Sequence, residues 1–153
     1  MLSTVTDIDE VLRDTRVFLM PSLWYEGFGL IAMEAMLRGI PTLASDYGGL
    51  QECCSKPATL LPIVPISKWL PEMDETGMPV PLVDPQPIDA WEAALTRLLS
   101  IPKAYESAQQ AARTYAGEFV SRWSADDFEK YLQNLRPKGR RILLAHNSIY
   151  FPS

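Results

Sequence analysis

Glu26 and Glu34 stand with seven residues between them, in the stretch Pro21-Ser22-Leu23-Trp24-Tyr25-Glu26-Gly27-Phe28-Gly29-Leu30-Ile31-Ala32-Met33-Glu34. The spacing places Glu34 about a turn and a half into an otherwise apolar helix, where a bare charge is costly unless something hydrogen-bonds it. A carboxylate only accepts hydrogen bonds, so a ribose diol is a natural partner. Between the two acids, Gly27 and Gly29 let the main chain approach a ligand with no Cβ in the way. A glycine-flanked helix start also offers free backbone N–H groups and a positive dipole end to a phosphate. Phosphate at the amides, ribose at Glu34 and sugar hydroxyls at Glu26 make one coherent ligand pose. Each piece also has a plainer account: the glycines as tight packing, and Glu34 as an ion pair with Arg38 one turn on.

The elements that must hold these residues can be read on either side. Ile8, Val11, Leu12 and Thr15 recur at helical spacing after Asp7, which suits an N-cap, so residues 7–15 are predicted as a short amphipathic helix. Val17-Phe18-Leu19-Met20 has no polar alternation and stops at Pro21, the pattern of a parallel strand covered on both faces. Gly29 to Leu37 is predicted as a helix closed by Gly39, and residues 41–45 as a second buried strand. Strand, helix, strand is a parallel α/β unit, and the acidic turn falls at the carboxyl end of its first strand, where open α/β sheets bind ligands.

Further on, Leu60-Leu61-Pro62-Ile63-Val64 is a candidate third strand, and residues 65–87, with six prolines, suggest a long irregular loop. Helical patterning returns over 89–99 and again from Tyr105 to Leu135, with a possible break at Trp123-Ser124. Trp91, Trp123 and Phe128 are expected in packing; Trp24 and Phe28 could stack on a ligand, yet aromatics beside a buried strand are usually core, and core packing is favoured for Trp24. Residues 136–141 are a basic linker, and 142–147 have the look of a new strand.

Composition narrows the function classes. A net charge of −5 over 153 residues, with no basic stripe before Arg136, argues against a nucleic-acid partner. Cys53 and Cys54 are adjacent, a spacing that builds neither a disulfide framework nor a zinc knuckle, and a lone histidine, His146, makes no metal cluster. His146 is expected to be an ordinary loop residue. No signal-peptide pattern or apolar run of membrane-spanning length is present, so a cytoplasmic location is expected, with the basic linker as an alternative contact for anionic lipid at the inner membrane face.

The words around the two glutamates carry a resemblance. Glu26-Gly27-Phe28-Gly29-Leu30, then Glu34-Ala35-Met36-Leu37-Arg38-Gly39-Ile40-Pro41, then Ala44-Ser45-Asp46-Tyr47-Gly48-Gly49-Leu50-Gln51-Glu52, resemble glycosyltransferase family 4, from the helix before Val17 through Glu52 and more loosely to about Leu135. The resemblance implies a retaining GT-B enzyme, in which two Rossmann-like domains face a cleft and the C-terminal one holds a nucleotide-sugar donor. Residues 1–135 would then be a partial Rossmann-like parallel sheet with flanking helices, the second half of that C-terminal domain. Carried over, Glu34 would bind the ribose, Glu26 the transferred sugar as the catalytic positioning group, and the amides of Gly27, Phe28, Gly29 and Leu30 the diphosphate and sugar. Gly48 and Gly49 would line the cleft, and Glu52 would support the donor site without touching the donor. No metal or redox cofactor is implied; the donor is a UDP- or GDP-sugar, and the acceptor an unknown sugar or lipid-linked molecule.

In the usual doubly wound order, residues 17–22, 41–45 and 60–64 would be the fourth, fifth and sixth strands. Strands one to three, the family's upstream Arg and Lys, and the acceptor-binding domain are then expected on other residues of the same or another chain. An apolar edge at the fourth strand follows, and with it poor donor binding and no transferase activity for residues 1–153 alone. Residues 142–153 resemble the first strand and loop of a further GT-B N-terminal domain, with an edge strand completing this domain as the alternative. A second reading of the whole is a non-catalytic nucleotide-binding or interaction domain that needs a partner chain.

Overall fold

The computed structural model describes residues 7–54 and 59–135. The basic linker 136–141, the strand expected at 142–147 and His146 lie outside the described residues. The chain divides into two compact units, residues 1–120 and 121–153.

The first unit is mixed α/β, built on a three-stranded parallel sheet. It opens with α1 (Ile8–Arg13), capped by Asp7, whose carboxylate accepts from the Asp9 amide at 2.9 Å. Strand β1 (Phe18–Met20), helix α2 (Leu30–Leu37), strand β2 (Thr42–Ser45), the single turn α3 (Leu50–Cys53) and strand β3 (Thr59–Leu61) follow. Both strand pairs are parallel in the order β1-β2-β3, with Phe18 opposite Thr42 and Leu43 opposite Thr59. That adjacency agrees with the order expected for strands four to six. Strand β3 ends earlier than expected because Pro62 has no N–H for a ladder, although Ile63 and Val64 continue the apolar run.

All four residues of β2 are buried, since helices cover both of its faces. Ala44 packs with Met33 and Met36 of α2, with Leu50 and Cys53, and with Ala112 and Ala116 of α5 (Pro102–Ser121). Leu43 points the other way, to Leu61 and to Leu98 of α4 (Ile88–Ser100). This two-sided cover explains why the strands lack polar alternation. Trp91 joins that second cluster as expected, its indole donating to the Pro62 carbonyl at 3.0 Å.

Among the described residues, the edge of β1 away from β2 pairs with no strand, and Leu19 on it is 44% exposed.

The proline-rich stretch is not an irregular loop. Lys68–Met73 (β4) and Pro79–Leu82 (β5) form an antiparallel hairpin. A two-stranded ribbon has only edge strands, so its prolines can face outward without losing a ladder bond, and the register breaks between Trp69 and Met73, around Pro71. The Asp74 carboxylate ties the turn, accepting from the Thr76 amide at 2.8 Å, the Thr76 hydroxyl at 2.6 Å and the Met78 amide at 2.9 Å.

In the second unit, α6 (Ala125–Asn134) is capped by the Ser124 hydroxyl, which accepts from the Asp127 amide. The break predicted at Trp123-Ser124 is therefore present. Trp123 and Phe128 are 74% and 63% exposed, contrary to the packing expected of them. Helical spacing gathers residues on one face of a helix; it does not supply a surface to cover that face.

Candidate functional site

The acidic turn leaves β1 at its carboxyl end and enters α2 through Gly29, whose φ of 90° lies in the left-handed region. A side chain there would need both that unfavourable backbone and a Cβ 2.5 Å from Leu50 Cδ2. The Gly29 carbonyl already accepts from Ala32 at 3.0 Å and Met33 at 3.3 Å, and the Cys53 thiol lies 3.5 Å from it. The helix thus starts with no side-chain cap. Among the described residues, the amides of Gly27, Phe28, Gly29, Leu30 and Ile31 donate to no acceptor. Free amides at a helix start form an anion-binding site.

Glu26 is half-buried, and the Ser22 hydroxyl donates to its Oε1 at 3.0 Å, which fixes the carboxylate against the turn. Glu34 is also half-buried, on the second turn of α2. The pairing with Arg38 allowed by its spacing does not form. Arg38 turns its Nε to the Asp9 carboxylate at 2.8 Å, with Nη2 on the same oxygen, and gives Nη1 to the Glu34 backbone carbonyl at 2.9 Å. The Glu34 carboxylate has no hydrogen-bond partner among the described residues, and no such atom there is both buried and unpaired, so its oxygens reach water.

Gly48 and Gly49 press on this turn backbone to backbone. The Gly49 amide donates to the Glu26 carbonyl at 2.8 Å, and a Cβ on Gly49 would overlap the Gly27 carbonyl and sit 2.8 Å from the Phe28 nitrogen. A Cβ on Gly48 would lie 3.1 Å from both the nitrogen and the oxygen of Glu26. These two glycines therefore set the position of the acidic turn.

The side chains around the turn divide into inward and outward sets. Phe28 packs inward on Phe119, ring centroids 5.5 Å apart, so only its amide is offered to a ligand. Leu30, at 71% exposure, stands at the mouth of the helix start. Trp24, for which core packing was expected, is 48% exposed and lies against Trp69 of the hairpin, centroids 5.0 Å apart. Its position after Pro21 takes it past the end of the strand and out of the sheet's cover. Glu52 is exposed and away from the free amides in sequence; its backbone carbonyl accepts from the Tyr115 hydroxyl at 3.1 Å.

Cys53 and Cys54 are fully buried free thiols. The hydrogen bond to Cys53 together with burial pushes the Cys54 thiol well above its ordinary value, so it packs as a neutral group. No three His, Cys, Asp or Glu among the described residues lie together as a metal set would, and no described helix is long and apolar enough to cross a membrane.

Sequence reasoning missed two residues here. Ser22 carries a weak signal, a hydroxyl four positions before Glu26 in the same loop. Trp69 carries none, because its place depends on a hairpin that its prolines hide.

Residues 3–126 match the family described as Family 4 Glycosyltransferase in conflict systems. The chain belongs to the family 4 glycosyltransferases. It is similar to the D-inositol 3-phosphate glycosyltransferase of Corynebacterium urealyticum, 32% identical over 129 residues, which is 84% of this chain and 24% of that protein. The Alpha-1,3/1,6-mannosyltransferase alg-2 of Neurospora crassa is 25% identical over 142 residues, 91% of this chain and 26% of that protein. The MMP alpha-(1->4)-mannosyltransferase of Mycolicibacterium hassiacum is 31% identical over 115 residues, 75% of this chain and 23% of that protein. The chain spans about a quarter of the length of these curated relatives. No solved structure matches it.

Proposed function

We propose that this chain is the donor-binding part of a retaining GT-B glycosyltransferase and holds a nucleotide sugar, UDP- or GDP-linked, at the start of α2. The observation that carries this reading is the run of unbonded amides from Gly27 to Ile31, flanked by two carboxylates with oxygens available to hydroxyls. The amides take the diphosphate, Glu34 takes the ribose diol, and Glu26, steadied by Ser22, takes the hydroxyls of the transferred sugar. Gly48 and Gly49 serve this site by fixing the turn.

On this reading the reaction proceeds on one face of the sugar. The C1–O bond to the diphosphate breaks, the acceptor hydroxyl oxygen bonds to C1 from the same side, and its proton leaves with the departing diphosphate. Fixed amides at the helix start stabilise the negative charge that develops on that diphosphate, and Glu26 holds the sugar in place without attacking it. Neither a metal nor a redox cofactor enters. The remaining wall of the cleft, including cations for the diphosphate, and the surface for a sugar or lipid-linked acceptor come from residues outside those described, on this or a partner chain, in the cytoplasm. Residues 1–153 alone carry no transferase activity.

The edge of β1, which pairs with no strand among the described residues, favours a second reading, in which the chain is a non-catalytic nucleotide-binding or interaction module that needs a partner chain. Saturation-transfer NMR with UDP- and GDP-sugars separates the two. The donor reading expects signal on the ribose and sugar protons of one nucleotide series, lost from the ribose in Glu34→Ala. Absence of any nucleotide signal, with the protein folded and with any partner chain added, would sink it.

A further inference from the structure

Four aromatic rings stand in two pairs beside Glu26. Trp24 and Trp69 lie 5.0 Å apart at a 40° tilt, and Tyr25 and Tyr47 meet edge to face at 5.6 Å and 82°. Trp24 is 48% exposed, Trp69 39% and Tyr25 75%. Each pair joins the acidic turn to a different segment: Trp69 comes from the hairpin, and Tyr47 from the loop whose glycines position Glu26. The hairpin is tied to the same segment by the Ile66 amide, which donates to the Leu23 carbonyl at 3.1 Å. Trp24 and Tyr25 directly precede Glu26 in the chain, and exposed Asp46, one oxygen of which accepts from Gln51 at 2.9 Å, precedes Tyr47, so each pair of rings has a carboxylate within two residues along the chain.

We propose that this aromatic surface binds a pyranose ring, with Trp24 and Trp69 stacking on its C–H face and the adjacent carboxylates accepting from its hydroxyls. Charge complementarity selects this occupant. A nucleic acid is repelled by Glu26 and Asp46, and an apolar protein segment laid over the rings would strip water from Glu26 and give it no donor in return. A pyranose offers both an apolar face for indole and hydroxyl donors for carboxylates. The site takes a neutral sugar whose ring presents several axial C–H bonds on one side. The proposal does not rest on the donor reading above.

The test is saturation-transfer NMR on the full chain with methyl α-D-glucopyranoside and methyl α-D-mannopyranoside as probes, and mannitol as an acyclic polyol without a flat C–H face. Transfer is expected to the C–H protons of one ring face of at least one pyranoside, and not to mannitol. Trp69→Ala should weaken that binding about tenfold, and Trp69→Phe should recover part of it. Both variants should remain folded by circular dichroism and leave any UDP or GDP signal unchanged, because Trp69 does not touch the start of α2. Equal transfer in wild type and Trp69→Ala, transfer to mannitol as strong as to the pyranosides, or none to either pyranoside would overturn the proposal. Loss of the UDP and GDP signals in the wild type would count against the donor reading alone.

Discussion

The Gly49 amide donates to the Glu26 carbonyl at 2.8 Å, and the Gly49 α-carbon sits so close to the Gly27 carbonyl that no Cβ fits between them. The position of the acidic turn is thus set from a loop more than twenty residues further on. Gly49→Ala has no flexible side chain to push aside; the backbone of residues 27 and 28 must move. The expected cost is about 1–3 kcal/mol of stability, as for other overpacked sites, with loss of donor binding out of proportion to it. Thermal unfolding read alongside nucleotide titration checks this. A variant with wild-type affinity would show that the contact does not position the amides.

The Glu34 carboxylate and the Arg38 guanidinium lie one turn apart and form no ion pair, which separates two substitutions that the sequence alone would couple. Glu34→Ala should remove charge-assisted hydrogen bonds worth about 1.5–3 kcal/mol, a roughly ten- to over a hundredfold loss of donor affinity. Arg38→Ala should leave donor affinity unchanged, since its guanidinium serves Asp9 and a backbone carbonyl. Calorimetric titration with the nucleotide that binds would decide, and an equal loss in both variants would contradict the geometry.

Ser22→Ala should separate the sugar from its nucleotide. The Ser22 hydroxyl holds Glu26, and removing a hydrogen bond of this kind costs about 0.5–1.5 kcal/mol, or roughly two- to twelvefold. On the proposed pose that loss appears with the nucleotide sugar and is absent with the free nucleoside diphosphate. Equal losses with both ligands would place Glu26 away from the sugar.

The hairpin should respond to acid. The Thr76 hydroxyl, then the Met78 amide, hold the Asp74 carboxyl below its ordinary value of 3.8. A carboxyl with a lowered folded value contributes stability that is fully present above 3.8 and is lost as pH falls through the folded value. The circular-dichroism couplet of the Trp24–Trp69 pair should therefore hold steady from neutral pH down to about 4 and fade below it. Asp74→Asn should weaken the couplet already at neutral pH, because an amide replaces a carboxylate that accepts from three donors. A couplet that fades well above pH 4 would assign the transition to another group.

Much of the site was legible because local chemistry dictated it. Asp7 capping α1, Gly39 closing α2, the fully buried strand β2 and the acid-flanked glycines all follow from dihedral preference, capping and hydrophobic pattern, which act within a few residues; β1, patterned alike, keeps Leu19 44% exposed.

Tertiary structure decided what local rules leave degenerate. Glu34 had two partners within reach, and only the arrival of Asp9 beside Arg38 settled that the carboxylate stays open. Trp24 carried the same apolar signal as Phe28, yet one faces solvent beside a distant tryptophan and the other packs on Phe119, because cover is a property of the assembled layers. The prolines of 65–87 hid a hairpin, since their cost depends on which side of a strand is paired, and that is fixed only once the ribbon has formed.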